Sequence, residues 1–329
     1  MKKSCIFEKK MLNIGVFGAG HLGKIHLNLL NKSKHYNLIG FHDSDIIKAK
    51  KVSENFNYKF FESPENLISK CDVIDIVTPT HFHHKIAMLA FSSNCHVFIE
   101  KPITKSINEA KELIECSNLY GLHGQVGHVE RFNPAFIAAK PHITKPMFIE
   151  THRLAEFNPR GTDVPVVLDL MIHDIDIILS VVKSPIKSIN ASGVKVISST
   201  PDIANARIEF ENGCVANLTA SRISMKKMRK SRFFQKDAYI SIDFLTKEVE
   251  IVKMKDPPQV LDEIAMILEN EEGMKRQIYF ENPIIVQSNA ILDELESFAN
   301  SIKNNEKPVV DLHDGYFALR TAQKIIDSY

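Results

Sequence analysis

Leu12-Asn13-Ile14-Gly15-Val16-Phe17-Gly18-Ala19-Gly20-His21-Leu22-Gly23 decides the fold of this chain. The stretch 12–17 is apolar enough for a buried strand, and G-x-G-x-x-G follows at once. Leu22, Ile25, Leu29 and Leu30 then recur at helical spacing. A glycine fingerprint carries meaning only between a strand and a helix, and here it has both neighbours. Gly18 permits the tight turn, Gly20 lets the backbone approach a pyrophosphate, and Gly23 lets helix and strand pack closely. The amides of the helix start, at His21 and Leu22, face the anion. Asp43 closes the next strand, 20 residues after Gly23, where a carboxylate binds ribose hydroxyls and repels a 2′-phosphate. Ser44 rather than Arg follows it, so the expected cofactor is NAD and not NADP.

Outward from this unit, short apolar runs alternate with helical patterns, the signature of a parallel sheet covered by helices. Strands are expected over 37–42, 73–77 and 96–99, with a helix over 84–91 between the last two. Ile46, Ile47, Val52 and Phe56 mark another helix. Ser106 and Glu109 form a capping box for a helix that Gly121 stops. After Phe132 the rhythm changes. Stretches 148–154, 189–197, 206–210, 215–223, 239–244 and 248–252 read as strands, with Asn212-Gly213 as a hairpin turn. One long helix over 166–182 and two late ones over 291–302 and 315–328 complete the pattern. The expected architecture is an N-terminal doubly wound Rossmann sheet over residues 1–125, then an α+β domain over 126–329 with a large, mostly antiparallel sheet. The last helix is expected to pack back on the first domain.

Composition excludes several classes. Of 329 residues, 44% are hydrophobic and 25% charged, the balance of a chain with a sizeable core. Lys plus Arg number 41 against 40 Asp plus Glu, which argues against a nucleic-acid or anionic-membrane coat. No apolar run reaches the roughly 18 residues that span a bilayer. The N-terminal MKKSCIFEKKM lacks an apolar core long enough for a signal peptide. Cys5, Cys71, Cys95, Cys116 and Cys214 are odd in number and scattered, so a cytoplasmic, thiol-reduced protein is expected.

Three further signals carry chemistry. Thr78-Pro79-Thr80 ends a parallel strand at the edge where such sheets bind ligands, with His81, His83 and His84 behind it. No carboxylate stands at ligand spacing from these histidines, so no metal is expected and a helix start beside the cofactor is preferred. Glu100-Lys101-Pro102 ends the next strand, and a Lys there can hold a substrate hydroxyl and favour its ionised form. Asp169 and His173 lie four apart on a helical pattern, hence on one face. A carboxylate orienting an imidazole suits a general base near neutral pH, and the alternative is an internal satisfied pair.

In this order and spacing, Gly18 to Gly23, Thr78-Pro79, Glu100-Lys101-Pro102 and Asp169-x-x-x-His173 resemble the glucose–fructose oxidoreductase/inositol dehydrogenase (Gfo/Idh/MocA) family. The resemblance implies sugar or cyclitol oxidation with a nicotinamide cofactor, and a homo-oligomer, dimer or tetramer, built on the open sheet. It implies Lys101, Asp169 and His173 as the catalytic trio, with Gly127 and Arg131-Phe132 on the nicotinamide side. It also implies His152-Arg153 as a substrate-contacting pair. Met171 stands where the family often has Gly, a difference that bears on the pocket's shape. The blocks 126–136, 152–163 and 166–179 resemble the branch that oxidises the C3 hydroxyl of UDP-N-acetylglucosamine to a ketone. A pyrophosphate wants cationic donors, and Arg153, Arg160 and Arg222 are the expected ones. Lys226, Lys227, Arg229, Lys230 and Arg232 are read as either a solvated basic strand edge or more substrate donors. The rivals are a myo-inositol or simple aldose dehydrogenase and, in another class, a non-catalytic dinucleotide-binding regulator; the Lys, Asp and His together favour an enzyme.

Overall fold

The computed structural model describes residues 11–158, 164–257 and 266–329. The chain clusters into two compact units, one up to Val129 plus Asn289–Leu319, the other Glu130–Ser288 plus Arg320–Tyr329. Stretch 289–319, read from sequence as part of the second domain, therefore clusters with the first unit.

In the first unit, strands β1 (Leu12–Phe17), β2 (Tyr36–His42), β3 (Val73–Ile76), β4 (His96–Glu100) and β5 (Gly124–Gly127) form a sheet in the order β2-β1-β3-β4-β5. Every neighbouring pair is parallel. Helices α1 (His21–Leu30), α2 (Ile46–Phe56), α3 (Pro64–Ile68), α4 (His83–Ser92) and α5 (Ile107–Tyr120) make the connections. The chain leaves β1 to one side for β2 and returns to the other for β3. This reversal opens a crevice at the carboxyl ends of β1 and β3, where sheets of this kind bind ligands. The capping box at Ser106 and Glu109 is formed as the sequence predicts.

The core joins Ile14, Val16, Leu27, Leu30, Phe41 and Phe98 to Leu295 and Phe298 of α8 (Ala290–Asn304). Tyr36 donates its buried hydroxyl to the Leu295 carbonyl at 2.7 Å, which is the physical reason this late helix belongs here. β5 escaped the sequence reading because Gly124-Gln125-Val126-Gly127 is short and half glycine. Leu312, at the start of α9 (Leu312–Ile326), fills the space that Gly124 leaves open.

The second unit is built on a nine-stranded sheet. Its strands are β6 (Phe148–Leu154), β7 (Ile186–Val194), β8 (Ile203–Phe210), β9 (Val215–Ser221), β10 (Met228–Phe234), β11 (Ala238–Asp243), β12 (Glu248–Lys255), β13 (Met266–Glu269) and β14 (Lys275–Glu281). The order is β13-β14-β12-β11-β10-β6-β9-β8-β7, antiparallel except for β6 with β9. Burial alternates along β6, β8, β9 and β11, so one face is packed and the other partly open. The packed face carries α6 (Pro134–Ala139) over β11 and β12, and α7 (Ile172–Val181) over β6. A π-helical turn, Val167–Met171, leads into α7 and lies over β9. Turns of this kind often mark functional sites. Met171 is wholly buried in it.

The basic run at 226–232 is not a sheet edge. Met228–Phe234 is a central strand between β6 and β11, and its charges are matched by acids on neighbouring elements. Lys230 meets Asp243 at 3.3 Å, Arg232 meets Glu150 at 3.4 Å, and Arg229 meets Glu130 at 3.6 Å.

Candidate active site

The glycine loop turns where the sequence predicts. Gly18 has φ +99°, a conformation that side chains disfavour. A Cβ on Gly23 would fall 2.0 Å from the Gly18 carbonyl oxygen, so helix and loop pack at backbone distance. A Cβ on Gly20 would meet nothing within 4 Å. The loop thus presents bare backbone to open space. Asp43 accepts from the Ala19 and Asp45 amides at 2.7 and 3.0 Å, which pins its carboxylate beside the loop. Gly18, Gly20, His21, Leu22, Asp43, Thr78 and Pro79 line one cleft of about 680 Å³. Thr80 opens the 3₁₀ turn that follows Pro79.

His83 lies behind this cleft, buried. Its Nε2 is 2.8 Å from the Thr78 carbonyl and its Nδ1 3.0 Å from the Pro102 carbonyl. One imidazole thus sits between the Thr78-Pro79 turn and the Lys101-Pro102 turn, within hydrogen-bond distance of a carbonyl on each. Burial lowers its pKa from the ordinary value, and the two carbonyls oppose that shift.

Glu100 is buried too, and it belongs to a cluster that the sequence reading missed. His26 on α1 places Nδ1 2.9 Å from Asp75 Oδ2 and Nε2 3.5 Å from Glu100 Oε1. The other Glu100 oxygen accepts the Lys101 amide at 3.1 Å. A Cβ on Gly127 would come within 2.8 Å of Glu100, so glycine is needed there. Burial opposes protonation of His26, but Asp75 and Glu100 outweigh it and raise its pKa well above the ordinary value. His26 thus sits between two acidic side chains beneath the backbone that presents Lys101. Its sequence signal was Asp75, a charge inside the otherwise apolar strand Val73-Ile74-Asp75-Ile76.

In the second unit, Asp169 lies in the π-helical turn and His173 in the first turn of α7, one turn apart. Three expected ligand-binding arginines turn out to be engaged inside the unit. Arg131 Nε and Nη2 donate to the two oxygens of Asp176 at 2.6 and 2.9 Å. Arg153 Nε and Nη2 hold Asp174 at 3.0 and 2.9 Å, while its Nη1 donates to Glu130 at 2.9 Å. Burial disfavours the Arg153 charge, but Asp174 and Glu130 outweigh it and raise its pKa. Arg222 is 5% exposed and donates to the Val164 carbonyl, just ahead of the turn that carries Asp169. None of the three is a free donor for a pyrophosphate, because buried carboxylates and carbonyls claim the guanidinium groups. His152 and Arg153, consecutive on β6, point to opposite faces of the sheet, Arg153 to the packed one. Arg160 lies outside the described residues.

His84 pairs with Glu112 at 2.8 Å, and His81 packs on the Phe82 ring. Among the described residues, no three His, Cys, Asp or Glu side chains come together as a metal site would require.

Comparison with known proteins decides the family. An oxidoreductase family model with an NAD-binding Rossmann fold matches residues 12–128, and a GFO/IDH/MocA C-terminal domain model matches residues 110–240. The chain belongs to the GFO/IDH/MocA family. It is an NAD-binding oxidoreductase. It is 35% identical over 241 residues to the UDP-N-acetylglucosamine 3-dehydrogenase of Acidithiobacillus ferrooxidans, covering 73% of this chain and 76% of that one. A solved structure of that enzyme superposes with TM-score 0.87 at 30% identity, over 97% of this chain and 98% of that chain. The scyllo-inositol 2-dehydrogenase of Bacillus subtilis is 28% identical over 229 residues, covering 64% of this chain and 67% of that one.

The residues present fit NAD. The open space over Gly20, the pinned Asp43 and the cleft between them suit a dinucleotide's pyrophosphate and adenosine ribose. Thr78 Oγ1 is buried without a hydrogen-bond partner among the described residues, at the wall of that cleft.

Proposed function

We propose that this enzyme oxidises the C3 hydroxyl of UDP-N-acetylglucosamine to a ketone with NAD. The observation that carries the reading is the likeness, over almost the whole chain, to an enzyme of that name. The first unit serves the cofactor and the second the substrate. When bound, NAD supplies the hydride acceptor, the nicotinamide C4. Lys101 holds the substrate oxygen and stabilises the negative charge that develops there. His173 takes the hydroxyl proton, and Asp169, one helical turn earlier, orients its imidazole. The carbinol carbon gives up a hydride and its oxygen a proton, so alcohol becomes ketone with charge in balance. Asp43 sets the preference for NAD over NADP.

Two broader assignments go with this. Cys71, Cys95, Cys116 and Cys214 are all free thiols, which supports a cytoplasmic setting. Among the described residues no helix is long and apolar enough to cross a membrane. The partly open face of the nine-stranded sheet, which includes His152 and Lys230 as cross-strand neighbours, supports assembly as a homo-oligomer.

The test is NADH formation with UDP-N-acetylglucosamine, myo-inositol and glucose under identical NAD conditions, with His173→Ala and Lys101→Ala alongside. The nucleotide sugar should turn over fastest, and each variant should lose about 10²-fold or more in kcat. Faster oxidation of a free cyclitol, with no nucleotide-sugar binding, overturns the substrate assignment.

A further inference from the structure

We propose that Arg131 and Arg153 are positioning residues, a two-point clamp that sets the rotation of the helix presenting His173. The inference rests on His173 being the base and adds how that base is aimed.

Successive residues of an α-helix are about 100° apart around the axis. Taking His173 as zero, Asp174 points about 100° to one side, and Asp176, three residues on, about 60° to the other. The two carboxylates therefore flank the imidazole. Each is gripped by a planar guanidinium through two parallel hydrogen bonds, at 2.6 and 2.9 Å for Asp176 and at 3.0 and 2.9 Å for Asp174. Such fork-to-fork pairs fix angle as well as distance. The anchors come from separate elements, Arg153 from β6 and Arg131 from the short turn Val129–Phe132. Rotation in either sense must break one of them.

Glu130 joins the two anchors. It is the chain neighbour of Arg131 and accepts from Arg153 Nη1 at 2.9 Å, and Asn133 holds its other oxygen at 3.0 Å. Asn133 is itself tied to the Phe244 carbonyl at 3.0 Å. Asp174, Asp176, Arg131, Arg153 and Glu130 are all more than nine-tenths buried.

The lever arm explains why this matters to chemistry. A ring nitrogen about 6–7 Å from the helix axis, allowing 2.3 Å to Cα and the rest to the side chain, moves about 1 Å for a 10° rotation. A misplacement of that size can cost about a hundredfold in rate. Burying these charges does little for stability, since well-packed apolar residues of similar volume often do as well or better. Angular definition is what an apolar contact does not supply.

The experiment removes both charges of one anchor together, as Arg131→Met/Asp176→Leu, so that no unpaired charge stays buried. His173→Ala and Arg131→Lys, which keeps the charge but loses the fork, are measured beside it. The expected result for the double variant is a Tm within a few degrees of wild type, unchanged KM for NAD, and kcat lower by roughly ten- to a hundredfold. The isotope effect with substrate deuterated at the carbinol carbon should rise, because the chemical step has slowed. Arg131→Lys should show the same split in milder form and serves if the double variant does not fold. Wild-type kcat in a folded variant overturns the clamp. If His173→Ala is also active, the base assignment fails with it; if His173→Ala is inactive, only the clamp fails.

Discussion

Replacing Arg153 by Ala separates two pictures of this enzyme. If Arg153 were a pyrophosphate ligand, its loss would raise KM for a nucleotide sugar and leave the fold intact. The structure supports the opposite. The guanidinium is 3% exposed and is shared between Glu130 and Asp174, with 6% and 3% of their side chains exposed. Truncation leaves two carboxylates in a space that water hardly reaches, with the half-exposed Arg229, 3.6 Å from Glu130, as a partial counter-charge. Breaking a buried ion pair by removing one partner costs about 3–5 kcal/mol. At about 2–4 °C per kcal/mol for a unit of this size, Tm should fall by roughly 6–20 °C.

The pH dependence carries a signature. Without the guanidinium, burial holds the Asp174 pKa further above its unfolded value, so the folded state favours the neutral form. The penalty from Asp174 is then full at pH above the raised pKa and fades as pH falls through it. In the wild type burial already raises the Asp174 pKa, and Arg153 is the main opposing influence. Thermal melts of both proteins at pH 8 and pH 5.5 should therefore show a smaller gap at the lower pH. An unchanged Tm with KM for the sugar raised tenfold or more would refute the reasoning and return Arg153 to the substrate.

Two further predictions follow from geometry. Gly20→Ala should leave Tm nearly unchanged yet weaken NAD binding in a calorimetric titration, because its methyl enters open space over the loop. Gly23→Ala should lower Tm as well, since its methyl meets the Gly18 carbonyl; equal Tm losses in the two variants would contradict this. His96 accepts the His123 amide on Nδ1 at 2.9 Å, and burial, with His123 beside it, pulls its pKa down to about 4. Its neutral form stabilises the fold above the unfolded value of about 6.5, and that contribution is lost as pH falls from there to about 4. His96→Asn keeps an acceptor and does not titrate, so its stability should decline less across that window. His83 titrates in the same direction in both proteins, and parallel profiles would exclude His96 as a contributor.

The parts of the candidate site that are local in sequence are legible there. The glycine turn, Asp43, Thr78-Pro79 and Lys101 each sit at the end of a strand whose apolar run announces it. Parallel topology then brings those ends to one edge. The partners of charged groups were not legible. Arg229, Lys230 and Arg232 look like an edge strand's charges, and the acids that match them, Glu130, Asp243 and Glu150, lie on other elements of the unit. Arg153 lies near the end of β6 and Arg222 directly follows β9, positions a ligand-binding arginine would also take.

One signal could have separated the two cases. Apart from Asp169, His173, Asp174, Asp176 and Ser180 the stretch 166–182 is apolar, so Asp174 and Asp176 within it need cations from the same unit, because a lone buried carboxylate is prohibitively costly. Asp169 and His173 share one face, which suits a general base with its orienting carboxylate as well as an internal pair. By the same helical arithmetic Asp174 and Asp176 fall outside it, and that left two acids to be matched by buried arginines before any arginine could be assigned to substrate. Arg131 and Arg153 meet that demand. A charge inside an apolar helix is thus a constraint on where its counter-charge is used, and it should be settled before exposed cations are counted as a binding site.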